Sequence, residues 1–103
     1  MDFLFDSRGK HIANRVGDQL HAPRGPNIGH WMENDAIFID MNGRYLGEIV
    51  HGDRLMYAKQ SPYRSTHYGN YGNCGNAGNY GNPGNAGSVG SVSGFVDIET
   101  PWL

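Results

Sequence analysis

The chain has a single cysteine, Cys74, in 103 residues, so no intrachain disulfide is available to staple it. It has no apolar run approaching the roughly 20 residues of a spanning helix, so no membrane span is expected. Charge of neither sign dominates. Eight Lys and Arg stand against ten Asp and Glu, for a net charge of −2, and the cations are scattered. A nucleic-acid surface needs a basic face, and no nucleic-acid partner is expected. The opening Met1-Asp2-Phe3-Leu4-Phe5-Asp6 has neither a basic region nor a long apolar stretch. It does not read as a signal peptide, and a cytoplasmic location is expected. No Cys-x-x-Cys or His-x-x-x-His pair is present, and no Gly-Lys-Ser or Gly-Lys-Thr follows the glycine-rich stretch. No motif therefore implies a metal or another cofactor. A sustained apolar period of 3.6 is also missing from the first 63 residues, which excludes an amphipathic helix there.

What the chain does have is a unit of about 17 residues repeated with drift. Gly9-Lys10-His11-Ile12-Ala13-Asn14-Arg15-Val16 overlays Gly25-Pro26-Asn27-Ile28-Gly29-His30-Trp31-Met32, and both overlay Gly43-Arg44-Tyr45-Leu46-Gly47-Glu48-Ile49-Val50. Each copy then closes on Gly17-Asp18, Asn34-Asp35 or Gly52-Asp53. Short apolar runs separated by turn residues are the pattern of an all-β chain. Each unit reads as a strand, a turn at the glycine, a second strand and a turn at the aspartate. Met41-Asn42-Gly43-Arg44 predicts a type I′ turn with positive φ at both central residues. A fourth unit starts at Leu55-Met56-Tyr57 and dissolves after Tyr63.

Two columns of the alignment carry structural meaning. Ile12, Ile28 and Leu46 are aliphatic and read as the buried face of the second strand. Ala13, Gly29 and Gly47 are small, which marks a bulge or a close backbone approach where copies meet. Strands bent there would curl into a closed or nearly closed ring.

The Gly43-Arg44-Tyr45-Leu46-Gly47 segment, the hairpin spacing and the ending Gly94-Phe95-Val96-Asp97-Ile98-Glu99 resemble the four-fold β-flower proteins, small bacterial domains. The resemblance spans residues 3–63 and 94–99. It implies an all-β fold of about four repeated β-hairpins around a pseudo-four-fold axis, with a Gly/Asn-rich insertion before the last strand. It implies no activity and no catalytic motif. The expected organisation is a hairpin domain over 1–67, a low-complexity segment over 68–93, and a C-terminal strand and tail over 94–103 that return to the domain.

From Tyr68 the chain repeats x-Gly-Asn, with glycine at every third place from Gly69 to Gly90. One reading is a flexible loop, because such a composition buries little apolar surface. The other is an ordered extended tract, three residues per turn, with Tyr68, Tyr71 and Tyr80 docked on the domain. A collagen triple helix is not expected with only Pro83 in the tract.

Among polar residues, His11, Asn27 and Tyr45 share a column and are candidates to line an axial ligand cavity, with Ile12, Ile28 and Leu46 turned away into the core. Trp31 is a further candidate contact. His21 and His67 are the histidines least explained by the repeat, and they are weak candidates for a metal site. The turn aspartates Asp18, Asp35 and Asp53 read as caps of local backbone N–H groups, or else as a carboxylate ring for a cation. Asp97 and Glu99 form an acidic pair without a nucleophile or base beside them.

Three function classes follow. The first is a non-enzymatic binding or interaction module for an unknown ligand or protein. The second is a self-assembling protein that forms a homo-oligomer through the Gly-Asn tract. The third is a metal-dependent enzyme, which would require a histidine to converge with Asp97 or Glu99.

Overall fold

A computed structural model describes residues 1–103 and contains no helix. Eight strands follow in chain order: β1 (Asp2–Phe5), β2 (His11–Val16), β3 (Gln19–His21), β4 (Asn27–Met32), β5 (Ile37–Asp40), β6 (Tyr45–Val50), β7 (Arg54–Ala58) and β8 (Phe95–Asp97). Each pairs antiparallel with the next, and β1 also pairs with β7. Seven sequential strands are an odd number, so the closing pair is parallel; it joins Phe5 to Arg54. The result is a closed seven-stranded barrel with β8 added on the β7 side. Closure leaves no free edge among the first seven strands.

The turns after β1, β3 and β5 share one geometry. Asp6 N–H donates to the carbonyl of Lys10, Ala22 N–H to that of Pro26, and Asp40 N–H to that of Arg44. Each leaves a three-residue loop ending on a glycine with positive φ, at Gly9, Gly25 and Gly43. This is a turn followed by a glycine bulge. It corrects the expected type I′ turn: Asn42 has negative φ, and only Gly43 is left-handed. Asp6 and Asp40 cap these loops, each accepting two backbone N–H groups through Oδ1. Local capping was expected of Asp18, Asp35 and Asp53 at the other turns. Asp35 instead accepts from Tyr68 Oη, and Asp53 from Arg54 Nε.

The register slips once in each of the β1–β2, β3–β4 and β5–β6 ladders. Leu4 faces Ala13 and Phe5 faces His11, so Ile12 is skipped. Ile28 and Leu46 are skipped in the same way. The small residue beside each bulge has a packing reason. The Cα of Gly29 abuts the carbonyl of Ile39 on the next hairpin, and that of Gly47 abuts the carbonyl of Met56.

The odd-numbered strands fill the barrel. Leu4, Leu20, Phe38 and Leu55, about 17 residues apart, are at most 2% exposed and cluster with Ile12 and Ala13. Each such side chain contributes roughly 1.5–3 kcal/mol on burial. A second cluster joins Ile37, Ile39 and Tyr45, with Tyr63 and Tyr68 packed against it.

Residues 68–90 form an ordered strap. Each asparagine from Asn70 to Asn85 accepts, through Oδ1, the N–H of the glycine two residues on, at 2.7–2.8 Å. The glycines from Gly69 to Gly90 hold φ between +71° and +91°. A polyproline-type strand needs φ near −75°, so three-residue left-handed extended geometry is corrected to a chain of Asx turns. The strap crosses the end of the barrel that carries the glycine turns. Tyr68 N–H donates to the carbonyl of Gly43, Ala77 N–H to that of Gly25, and Ala86 N–H to that of Gly9. Three triplets separate each contact from the next. Arg54, a buried side chain, fixes the far end by donating to the carbonyls of Gly87, Ala86 and Asp6.

Candidate functional site

Three cavities flank the barrel, and the two larger ones differ in charge. The first is a groove of about 610 Å³ between the second and third glycine-turn hairpins and the C-terminal segment. Ile28, Leu46, Ile98 and Trp102 give it apolar walls, and Asp40, Asp97 and Glu99 line it as well. No cationic side chain lines it.

The bulges build this wall. Along a regular strand Asn27 and Ile28 would face opposite ways. The slip at Ile28 breaks the alternation, so both residues line the groove, as do Tyr45 and Leu46. Ile28 and Leu46 pack against the core cluster and also border the groove; both are half-buried, and Ile12 alone of that column is fully buried. The C-terminal segment makes the opposite wall. Asp97 anchors it by accepting from Ser7 N–H and Ser7 Oγ at 2.7 and 2.6 Å. Trp102 Nε1 donates to the carbonyl of Ile12 at 2.7 Å.

The polar groups of Asn27 and Tyr45 are committed internally. Asn27 Nδ2 donates to the carbonyls of Leu20 and Gly29, and its Oδ1 accepts from Cys74 N–H. Tyr45 Oη donates to Glu48 and accepts from Ala58 N–H. Burial and the Glu48 carboxylate push this phenol well above its ordinary range. These two residues shape the groove and carry no reactive group into it.

The other sequence candidates lie elsewhere. His11 packs edge-on against Phe3, meets Asn14 Oδ1 through Nε2, and lines the second cavity. Trp31 meets the Phe38 ring at 4.9 Å, the Arg15 guanidinium lies 4.5 Å from its own ring, and its Nε1 donates to Glu33. It borders none of the cavities. His21 is buried, with Nδ1 on the carbonyl of Gly25 and Nε2 on the Gln19 side-chain amide. His67 is exposed just ahead of the strap, where Nδ1 accepts from Gly69 N–H. No three metal-ligating side chains come together. Sequence reading missed Trp102 and Ile98 as groove residues and Arg54 as the strap's anchor. The signal for Arg54 was a cation at the start of an apolar strand.

No protein-family model, curated protein or solved structure matches the chain. No helix is long and apolar enough to cross a membrane.

Proposed function

We propose that the protein is a non-enzymatic binding module, and that its groove takes a ligand with an apolar body and a cationic group. One observation carries this reading: the apolar walls of Ile28, Leu46, Ile98 and Trp102 stand beside three carboxylates with no lining cation. Apolar walls with a few placed polar groups are the usual make-up of a small-ligand site, and carboxylates with no cation beside them attract a positive group; Asp97 and Asp40 already accept hydrogen bonds, which leaves Glu99 to meet the ligand's charge. The proposal extends to the cytoplasm as its location and to the four-fold β-flower domains as its kin. On that reading the hairpins are repeats around a pseudo-four-fold axis, with β7 and β8 as the fourth. The recurring register slip and the four interior residues from odd strands support it. The docking of the strap on its own barrel favours binding over self-assembly.

Tryptophan fluorescence tests the groove. In a Trp31→Phe variant the remaining indole, Trp102, reports on the site. Saturable quenching by 4-phenylbutylammonium, with no response to 4-phenylbutyrate, is the expected result. An equal response to both, or none to either, would sink the proposal.

A further inference from the structure

The strap crosses between docking points twice, through arcs of equal length, and the two arcs differ. The arc from Tyr68 to Ala77 is packed down. Tyr71 lies on the His30 ring with centroids 5.6 Å apart, His30 Nε2 donates to the carbonyl of Gly72, and Cys74 N–H donates to Asn27. The arc from Ala77 to Ala86 makes no such contacts. Both arc tyrosines are exposed, Tyr71 at 54% and Tyr80 at 45%, so the difference lies in the contacts: in the second arc Asn85 alone reaches the barrel by a side-chain hydrogen bond, 3.4 Å to the Arg8 carbonyl. The alignment explains the difference in part: Asn14, a shorter side chain, stands at the place of His30.

Beneath the open arc is a cavity of about 530 Å³. Its lining contains Lys10, Arg24 and His11, and no carboxylate. The chain pairs Arg8 with Asp6 and Arg54 with Asp53, and leaves Lys10 and Arg24 without ion pairs. The arc's own wall offers donors because of its Asx turns. The Oδ1 atoms of Asn79 and Asn82 are consumed by the N–H groups of Gly81 and Gly84. Each amide oxygen is thereby turned to the strap's own backbone, and its NH₂ group has two donors to offer. The lining includes no hydrophobic residue, so an apolar ligand gains nothing there.

We propose that this cleft binds an oxyanion group, a phosphate or sulfate, carried on a hydroxylated molecule such as a sugar. Lys10 and Arg24 neutralise the oxyanion, and the guanidinium supplies paired donors in a fork. The Asn79 and Asn82 amides, one triplet apart, donate to hydroxyl oxygens. The cavity is several times larger than a bare oxyanion requires, which leaves room for the hydroxylated part. This site lies apart from the acidic groove and takes a ligand of opposite charge, so the two proposals stand or fall separately.

Calorimetric titration of the full chain tests it with four probes: glucose 6-phosphate, glucose 6-sulfate, inorganic phosphate and glucose. Saturable binding of one sugar ester, about tenfold or more tighter than inorganic phosphate or glucose, is expected. The phosphate and sulfate arms separate the two sources of the oxyanion. The Lys10→Gln, Arg24→Gln double variant should lose about tenfold or more of that affinity while keeping the parent's thermal midpoint, since both side chains are exposed. Absence of saturable binding to either ester overturns the proposal. So does affinity that inorganic phosphate matches, or that the double variant keeps.

Discussion

The indole N–H of Trp102 donates to the main-chain carbonyl of Ile12, 2.7 Å away and ninety residues earlier in the chain. Ile12 is the residue that the β1–β2 ladder skips, and a bulge leaves such a residue outside regular pairing. The C-terminal segment therefore docks where the sheet has a bond to spare. Trp102→Ala removes both the bond and a half-buried ring. It should lower stability by about 1–3 kcal/mol, read as a shift of the urea midpoint. Trp102→Phe keeps most of the packing and should lose only about 1 kcal/mol. Equal losses from the two variants would assign the whole effect to the hydrogen bond.

Gly25 carries two constraints at once. Its φ is +117°, and a Cβ there would collide with the Asn76 side chain. Gly17 has φ +60° and open space around it. Gly17→Ala should cost about 1 kcal/mol, the backbone penalty alone. Gly25→Ala should cost more and should also lift the strap locally. Hydrogen exchange at Ala77 N–H reads that lifting, and Gly17→Ala should leave it unchanged. Protection of Ala77 retained in Gly25→Ala would mean that the strap moves as a whole without losing its bond.

The strands were legible in the sequence because short apolar runs alternate with turn residues, and the aligned glycines placed the turns. The turn type was not. Asn-Gly permits two left-handed residues, but this three-residue loop uses one, Gly43 in the bulge, and leaves Asn42 at negative φ. The groove was half legible. Asn27 and Tyr45 stood out as a column, whereas the groove contact that Ile28 and Leu46 make beside their packing on the core depends on a slip that side-chain identity does not reveal. The strap's docking was legible at Tyr68 and Tyr71, which reach Asp35 and the His30 ring, and hidden at its three turn contacts, where the bonds join main chain to main chain. The one residue-level trace of those bonds is the pair of small side chains, Ala77 and Ala86, at docking positions.

Tyr68 Oη donates to Asp35 Oδ2 at 2.5 Å. Loss of hydration and the Asp35 carboxylate push its pKa up to about 12, and Tyr45 is raised by burial and Glu48. A phenol whose pKa is raised on folding holds its proton more tightly in the native state. Its contribution is complete below the ordinary value of 10.0 and is lost as pH rises toward 12. Of the six tyrosines, these two should be the last to develop phenolate absorbance near 295 nm. Tyr68→Phe should flatten the fall of stability above about pH 10. Early titration of all six would contradict the two hydrogen bonds.

The spacing of the strap's contacts predicts the effect of shortening it. Deleting Asn79-Tyr80-Gly81 preserves the x-Gly-Asn frame and every remaining Asx turn. It also removes roughly 10 Å of reach between the Gly25 and Gly9 contacts. If Ala77 stays in place, Val89 comes to the position that Ala86 holds against Gly9. Val89 N–H already donates to the carbonyl of Ser7, and it cannot serve both. One of these bonds must therefore be lost, and the amide that loses it should exchange about tenfold or more faster. Tyr80→Ala, which alters an exposed side chain and leaves the frame intact, should change neither. Unaltered protection of both amides after the deletion would show that the open arc holds slack, and that nine-residue spacing does not set how the strap lies across the barrel.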